Sequence, residues 1–276
     1  NFTTLWNDGD GISDSADFPE RANIEVYFNF EQTGNTLENQ TTYDTWSSWV
    51  NPDSVAGLVH WYDANDLSTI TKDGSNRVSQ WDDKKGSDDL LQATGGDQPL
   101  FVNVGQNGLH EIDFDSDRSM ETSSGSTKTQ PVTIYMALKL PVNDSSNTRR
   151  IITDEVTGLN PTVQFLGNNS PVYIIDSGGT AFNGSVGSTP DTWALLKIFL
   201  DGADTSFFAI DEVTIATGSV GTNDLTGLNV GGQCAGVSCY YSEIIAGEIL
   251  VYNAVLSDAD NADVVAYLSE KWNVNQ

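Results

Sequence analysis

Positive charge is what this chain has least of. Its 276 residues carry 12 Lys+Arg against 39 Asp+Glu, a formal net charge of -27 and a pI near 4.1. A surface this acidic repels phosphate backbones and anionic headgroups, which argues against nucleic-acid and membrane-surface binding. Histidine is equally scarce. Only His60 and His110 occur, far apart in sequence, and no Ser/His/Asp constellation assembles around them. His60 sits in an alternating run beside Trp61, the setting of a packed or rim residue more than of a general base. A Gly-Lys loop able to cradle phosphate is also missing. No apolar run approaches the roughly 20 residues of a membrane-spanning helix, so no membrane insertion is expected. The two cysteines, Cys234 and Cys239, sit close together. That spacing suits a local disulfide clipping a loop in an oxidising compartment, and without nearby histidines it makes a poor zinc site. The chain opens at Asn1 and not at Met, which fits either a removed export signal or an excised fragment.

What is abundant is carboxylate, spread along the whole chain, and short β-type patterning. The acids keep a protein soluble in saline surroundings and favour hard cations, calcium above all. The runs Val132–Leu140, Ala194–Leu200, Ser206–Ile210 and Glu243–Tyr252 alternate or are β-branched, with Gly, Asn, Asp and Ser between them. Short strands at regular spacing with turn chemistry between them predict an antiparallel sandwich whose two sheets share a core. One segment breaks the pattern. Ser257 followed by Asp258, Asp260 and Asp263 places a capping hydroxyl and carboxylates where a helix dipole favours them. Val264, Val265, Leu268 and Trp272 then share one face, so residues 258–272 are expected to form a single structural helix.

Two stretches at opposite ends belong together. The first holds Gly57-Leu58-Val59-His60-Trp61-Tyr62-Asp63-Ala64, then Arg77-Val78-Ser79-Gln80-Trp81-Asp82-Asp83 and Gln98-Pro99. The second holds Gly247-Glu248-Ile249-Leu250-Val251-Tyr252-Asn253, Leu256-Ser257-Asp258 and Ala266-Tyr267-Leu268-Ser269-Glu270-Lys271-Trp272. Together they resemble the laminin-G-like, concanavalin A-like jelly-roll modules of bacterial and phage surface proteins, over roughly residues 55–276. The resemblance implies an all-β, antiparallel β-sandwich with one C-terminal α-helix, in which the first and last strands are neighbours. It implies fold more than function, since that sandwich hosts lectins, adhesins and glycosidases. Residues 1–50 are expected to form an N-terminal extension, with a strand-like run at 24–30, and 51–276 the sandwich.

Candidate sites are few. Asp8-Gly9-Asp10-Gly11-Ile12-Ser13-Asp14-Ser15-Ala16-Asp17 spaces carboxylates around a Gly-turned loop. It resembles a thrombospondin type-3 calcium repeat, which implies Asp8, Asp10, Asp14 and Asp17 as side-chain ligands and Ile12 as a carbonyl ligand, with calcium in a structural role. Trp6 stands where that family has its first carboxylate, and a single repeat replaces an array. Glu111-Ile112-Asp113-Phe114-Asp115 alternates three acids with two apolar residues, and looks like the carboxylate strand of laminarinase-type β-glucanases. Asp115 is a methylene shorter than the glutamate expected there, and no Trp lies close by to stack a sugar. No catalytic set is therefore assigned. The resemblance to the jelly-roll module instead implies Phe114 as core, Asp115 as the start of a turn and Glu111 as incidental.

Sugar binding needs aromatic faces and a few amide or carboxylate partners. Trp61, Trp81, Trp193 and Trp272 fall at positions the resembled family uses for its core. The better candidates lie in segments read as loops: Tyr240 and Tyr241 beside the Cys234–Cys239 clip, and Asn168, Asn169 and Tyr173. The expectation is an extracellular carbohydrate-binding or adhesion module, secreted or displayed on a cell or virion surface as part of a larger protein. Its partner would be a glycan. The alternatives of the same fold are a glycoside hydrolase or polysaccharide lyase, and a ligand-free structural module of an adhesin or phage fibre.

Overall fold

β-Branched and aromatic runs, broken by Gly, Asn and Asp, fold as nineteen strands and one α-helix among the described residues of a computed structural model. It describes residues 50–115, 117–122, 126–139, 148–154, 162–167, 171–176, 182–185, 191–202, 205–235 and 238–274, all within one compact unit, Ser48–Gln276. In chain order the strands are β1 (Leu58–Asp63), β2 (Ile70–Lys72), β3 (Val78–Trp81), β4 (Leu90–Leu91), β5 (Leu100–Val102), β6 (Glu111–Asp113) and β7 (Met120–Thr122). There follow β8 (Val132–Lys139), β9 (Thr148–Thr153), β10 (Thr162–Gly167), β11 (Pro171–Asp176), β12 (Phe182–Ser185), β13 (Trp193–Leu200), β14 (Ser206–Ile210) and β15 (Val213–Gly218). The last are β16 (Asn229–Val230), β17 (Gly232–Ala235), β18 (Ser238–Tyr241) and β19 (Ile245–Tyr252), ahead of helix α1 (Asp258–Trp272).

Every ladder is antiparallel. One sheet runs β15-β14-β13-β8-β19-β6-β5, with β1 also on β19; the second runs β12-β11-β10-β9-β16-β7-β4-β3-β2; β17 and β18 form a separate hairpin. The two stretches that carry the family resemblance meet, as that resemblance implies. β1 pairs with β19 with Trp61 opposite Leu250 and Asp63 opposite Glu248. β19 gives the same edge first to β6, at Ile245 and Ala246, and then to β1. Gly247 separates the two stretches, at a register shift in the β19–β8 ladder. A bulge there re-aims the chain. It also makes room for Trp272, whose ring would lie 2.6 Å from any Cβ at Gly247.

The first sheet is covered on both faces, which explains why its strands read as near-continuous apolar runs. Val132, Ile134, Met136 and Leu138 of β8 enter the core between the sheets, with Trp81, Leu90, Ile112, Phe114, Met120, Ile249 and Val251. Tyr135 and Ala137 point the other way, into a second core with Leu195, Leu250 and Tyr252 beneath α1. Helix residues Val264, Leu268 and Trp272 close that second core, and burying each is worth roughly 1.5–3 kcal/mol. Ser257 caps the helix by accepting from the Asp260 N–H at 3.1 Å. Asn273, in the left-handed region at φ 50°, ends it.

A buried charge cluster fastens α1 to the strands. Glu248, fully buried, accepts from Trp61 Nε1 (2.7 Å), Tyr267 Oη (2.8 Å), Trp272 Nε1 (2.8 Å) and Lys271 Nζ (2.7 Å). Lys271 also reaches Asp63 Oδ1 at 2.9 Å, and Lys84 holds Asp63 Oδ2 at 3.2 Å and Asp66 at 2.8 Å. Four donors on one carboxylate satisfy its acceptor capacity, the condition for tolerating a buried acid.

Candidate functional site

Alternation on a strand decides what faces the helix-covered side of the first sheet. On β13, Ala194, Leu196, Ile198 and Leu200 are core, so Trp193, Leu195, Lys197 and Phe199 project outward. Register then assembles a patch: Thr133 of β8 lies opposite Phe199, Phe199 opposite Phe207 of β14, and Tyr135 opposite Lys197. The start of α1 supplies Asp258 and Asn261, and the preceding turn Val255 and Leu256. These nine residues line a cleft of about 180 Å³.

Its two phenyl rings are half-buried and tilted at 44°, with centroids 5.5 Å apart. The Lys197 ammonium lies 5.3 Å from the Phe207 centroid and 5.6 Å from that of Tyr135. Asn261 Oδ1 accepts from both Lys197 Nζ and the Tyr135 hydroxyl, the latter at 2.6 Å. That pair of donors fixes the amide, and its Nδ2 faces Glu212 Oε2 at 3.4 Å. Burial lowers the lysine's pKa, opposed by Glu212 and Asp258. Burial likewise pushes the Tyr135 hydroxyl up, so it stays a neutral donor. The cleft thus combines apolar ring faces with an oriented amide, a cation, a hydroxyl and a rim carboxylate.

The residues singled out from sequence are scattered. Asp8, Asp10, Ile12, Asp14 and Asp17 lie outside the described residues, as do Asn168 and Asn169. Tyr173 is not on a loop: its backbone sits in β11, opposite Phe165 of β10 and Gly184 of β12. The segment holding the two cysteines is a regular hairpin, with Cys234 directly opposite Cys239, Tyr240 opposite Gln233, and Tyr241 opposite Gly232. The Tyr241 side chain is half-buried, and burial with Asp97 and Asp117 nearby raises its pKa.

The carboxylate strand is β6. Ile112 and Phe114 are fully buried in the inter-sheet core, as alternation requires. Glu111 is 4 % exposed and folded back onto its own loop, where it accepts the Gln106 N–H; a Cβ on Gly105 would collide with it. Burial raises its pKa, with Asp113 adding and Gln106 and Lys139 opposing. Asp113 accepts the Asp115 N–H at 3.0 Å, and Asp115 takes a left-handed turn conformation at φ 32°. His60 is packed: its Nδ1 lies 2.7 Å from Asp83 Oδ2, and its Nε2 3.6 Å from Asp88 Oδ2. Among the described residues no cluster of three or more His, Cys, Asp or Glu is arranged to hold a metal ion, and no helix is long and apolar enough to cross a membrane.

Trp81 and Trp272 are core, and Trp193 stacks on Trp272 at 5.6 Å and 6°. The signal missed in the sequence is the outward half of β13 and β14. Lys197, Phe199 and Phe207 were legible as strand residues, but their convergence with Asn261 depends on where α1 docks.

No protein-family model and no curated protein matches the sequence. Solved structures do match its fold. Trypanosoma rangeli sialidase in complex with 2,3-difluorosialic acid superposes with a TM-score of 0.57 at 12% identity, over 80% of this chain and 34% of that one. The same sialidase with sialic acid gives 0.56 at 13% identity, again over 80% and 34%. The botulinum neurotoxin serotype G binding domain gives 0.53 at 8% identity, over 79% and 54%. The chain therefore spans between a third and about half of these proteins. At such identities the likeness is one of fold.

Proposed function

We propose that this chain is an extracellular carbohydrate-binding or adhesion module of the laminin-G-like, concanavalin A-like type, which takes a cell-surface or matrix glycan in the cleft between β13, β14 and α1. The observation that carries the reading is the Phe199–Phe207 pair flanked by Lys197 and Asn261. A pyranose offers just this division: an apolar C–H face for the rings, and hydroxyls for the amide, ammonium and carboxylate. The 180 Å³ volume is below the roughly 300–1,000 Å³ of drug-sized pockets, so it suits one terminal sugar with the rest of the glycan outside. A net charge of -27 favours neutral glycans over polyanionic ones.

Binding without hydrolysis fits the placement of Glu111. Retaining hydrolysis needs two carboxyls about 5 Å apart across an accessible scissile bond. Glu111 instead spends its carboxylate on the Gln106 N–H. Calcium in this proposal orders the 8–17 loop and does not touch the sugar, and Cys234–Cys239 forms a disulfide in a secreted or surface-displayed protein. A glycan array probed with the full chain, in calcium and in chelator, tests the reading. A retained glycan is expected, with affinity about tenfold weaker in Phe207→Ala and in Lys197→Ala, the loss of one stacked ring or charged donor. No glycan retained in either buffer, or full affinity in both variants, overturns it.

A further inference from the structure

Lys271 does more than neutralise its neighbours. Its Nζ sits 2.9 Å from Asp63 Oδ1 and 2.7 Å from Glu248 Oε2, in a site walled by Trp61, Tyr267 and Trp272. The three reacting groups are nearly closed to solvent: Glu248 is 0 %, Asp63 6 % and Lys271 9 % exposed. An amine held at contact with one carboxyl, dry, and with a second carboxyl on the same amine, supplies the parts needed for amide formation. Holding two groups at that range replaces a bimolecular encounter by an effective molarity of roughly 10⁵–10⁸ M. From this geometry we propose that the side chains of Lys271 and Asp63 condense into an intramolecular amide, with Glu248 carrying the proton.

The step balances without any outside reagent. The Lys271 ammonium passes a proton to the Asp63 carboxylate across their hydrogen bond, leaving a neutral amine and a neutral acid. The Nζ lone pair forms a bond to Cγ of Asp63. Glu248, 2.7 Å from Nζ, takes the amine's second proton and delivers a proton to the departing Oδ1, which leaves as water. Glu248 ends in the protonation state in which it began. Ammonium and carboxylate become amide plus one water.

The surroundings favour each stage. Burial, with Asp63 close by, raises the pKa of Glu248, as a group that must both hold and give a proton requires. Lys84 Nζ, 3.2 Å from Asp63 Oδ2, faces the oxygen on which negative charge grows and which remains as the amide carbonyl. The Asn65 N–H donates to Oδ1 at 3.1 Å and holds the carboxyl in place. Burial would favour a neutral amine at Lys271, but two carboxylates hold its proton, and the balance lies upward. Removing one of those charges by handing the proton to Asp63 is therefore part of the reaction and not a precondition for it.

Position explains what the bond would do. Among the described residues, Asp63 ends the first strand and Lys271 lies in the last turn of the one α-helix. An amide between them closes everything from 64 to 270 into one ring. Tension applied from either side of the cross-link would then bypass that ring, and the strands from β2 to β19 would carry none of it.

The test is the intact mass of the full chain, purified, thiol-reduced and denatured. The expected value is one water below the sequence mass, with a branched peptide after proteolysis that joins the segment around Asp63 to the segment around Lys271. Lys271→Arg keeps the charge but offers no amine to be acylated, and Glu248→Gln keeps the shape but cannot relay the proton; both are expected at full sequence mass. A wild-type chain at full sequence mass, or a lost water confined to one unbranched peptide, overturns the proposal even if neither variant folds. The measurement involves no glycan, so it stands or falls apart from the binding cleft.

Discussion

Trp272 is the place to test how α1 is held. Its ring is fully buried, lies in the slot left by Gly247, stacks on Trp193 and donates to Glu248 Oε2 at 2.8 Å. Two substitutions separate packing from hydrogen bonding. Trp272→Phe keeps most of the ring and removes the donor, leaving Glu248 with Trp61, Tyr267 and Lys271. Losing one partner of a buried charged acceptor costs about 1–3 kcal/mol. Trp272→Ala removes the ring as well, and large-to-small changes of this kind cost ~3–5 kcal/mol. For a unit of this size about 2–4 °C of Tm accompanies each kcal/mol, so the alanine variant should melt about 6–20 °C lower. Urea unfolding followed by far-UV circular dichroism gives the free energies, provided the slope is unchanged. The order wild type, then Phe, then Ala must hold whether or not Asp63 and Lys271 are joined, because Trp272 supplies no reacting atom. An alanine variant within about 1 kcal/mol of wild type would refute the two-core description.

Two further outcomes follow from the same structure. Gly247→Ala places a Cβ 2.6 Å from a ring that Trp193 prevents from retreating, so a loss of roughly 1–3 kcal/mol is expected in the same urea experiment, and a neutral result would mean the bulge adapts. The pH dependence has two opposed parts. Burial alone would raise Asp83 and Asp88, yet both are lowered, Asp83 by His60 and the Trp61 and Lys85 N–H groups, Asp88 by Ser126, His60 and Lys128. Their contribution is present above the ordinary aspartate value near 3.9 and is lost as pH falls through their lower folded values, so Asp83→Asn should flatten the acid limb of stability below about pH 4. Glu111 is raised, so its effect is opposite: stability declines as pH rises from about 4.3 through its folded value, and Glu111→Gln should remove that decline. Thermal melts across pH 2–8 check both signs.

The fold was legible because its strongest signals are local. Ser257 with its following carboxylates and the spacing of Val264, Leu268 and Trp272 define α1 with the bounds that the structure has, 258–272. Alternation on 111–114 put Ile112 and Phe114 inside, where they are. The pairing of β1 with β19 came from resemblance and not from local pattern. Loop assignments fared worse. Tyr173 and Tyr240 lie in strands because Gly, Asn and Ser residues that look like turn chemistry can also flank two-strand ladders, and nothing local distinguishes the cases. The cleft was the least legible feature. Tyr135, Lys197, Phe207 and Asn261 come from three strands and a helix, and their apolar members count equally well as core when only the run is seen. Outwardness on β13 emerges once the opposite face is known to be full.

Glu248 shows where a sequence does announce a long-range arrangement. A glutamate inside Ile245–Tyr252, otherwise free of charge, cannot be buried without donors, and its own strand offers none to spare. The acid therefore demands partners from elsewhere, and they arrive from β1 as Trp61 and from α1 as Tyr267, Lys271 and Trp272. Lys271 in turn demands Asp63, whose second oxygen is taken by Lys84. Each buried charge thus specifies the next, and the chain of requirements links the first strand, the last strand and the helix. A cluster that only stabilised could be replaced by apolar packing at little cost. One that must present an amine to a carboxyl at 2.9 Å could not, because the chemistry resides in the polar atoms themselves.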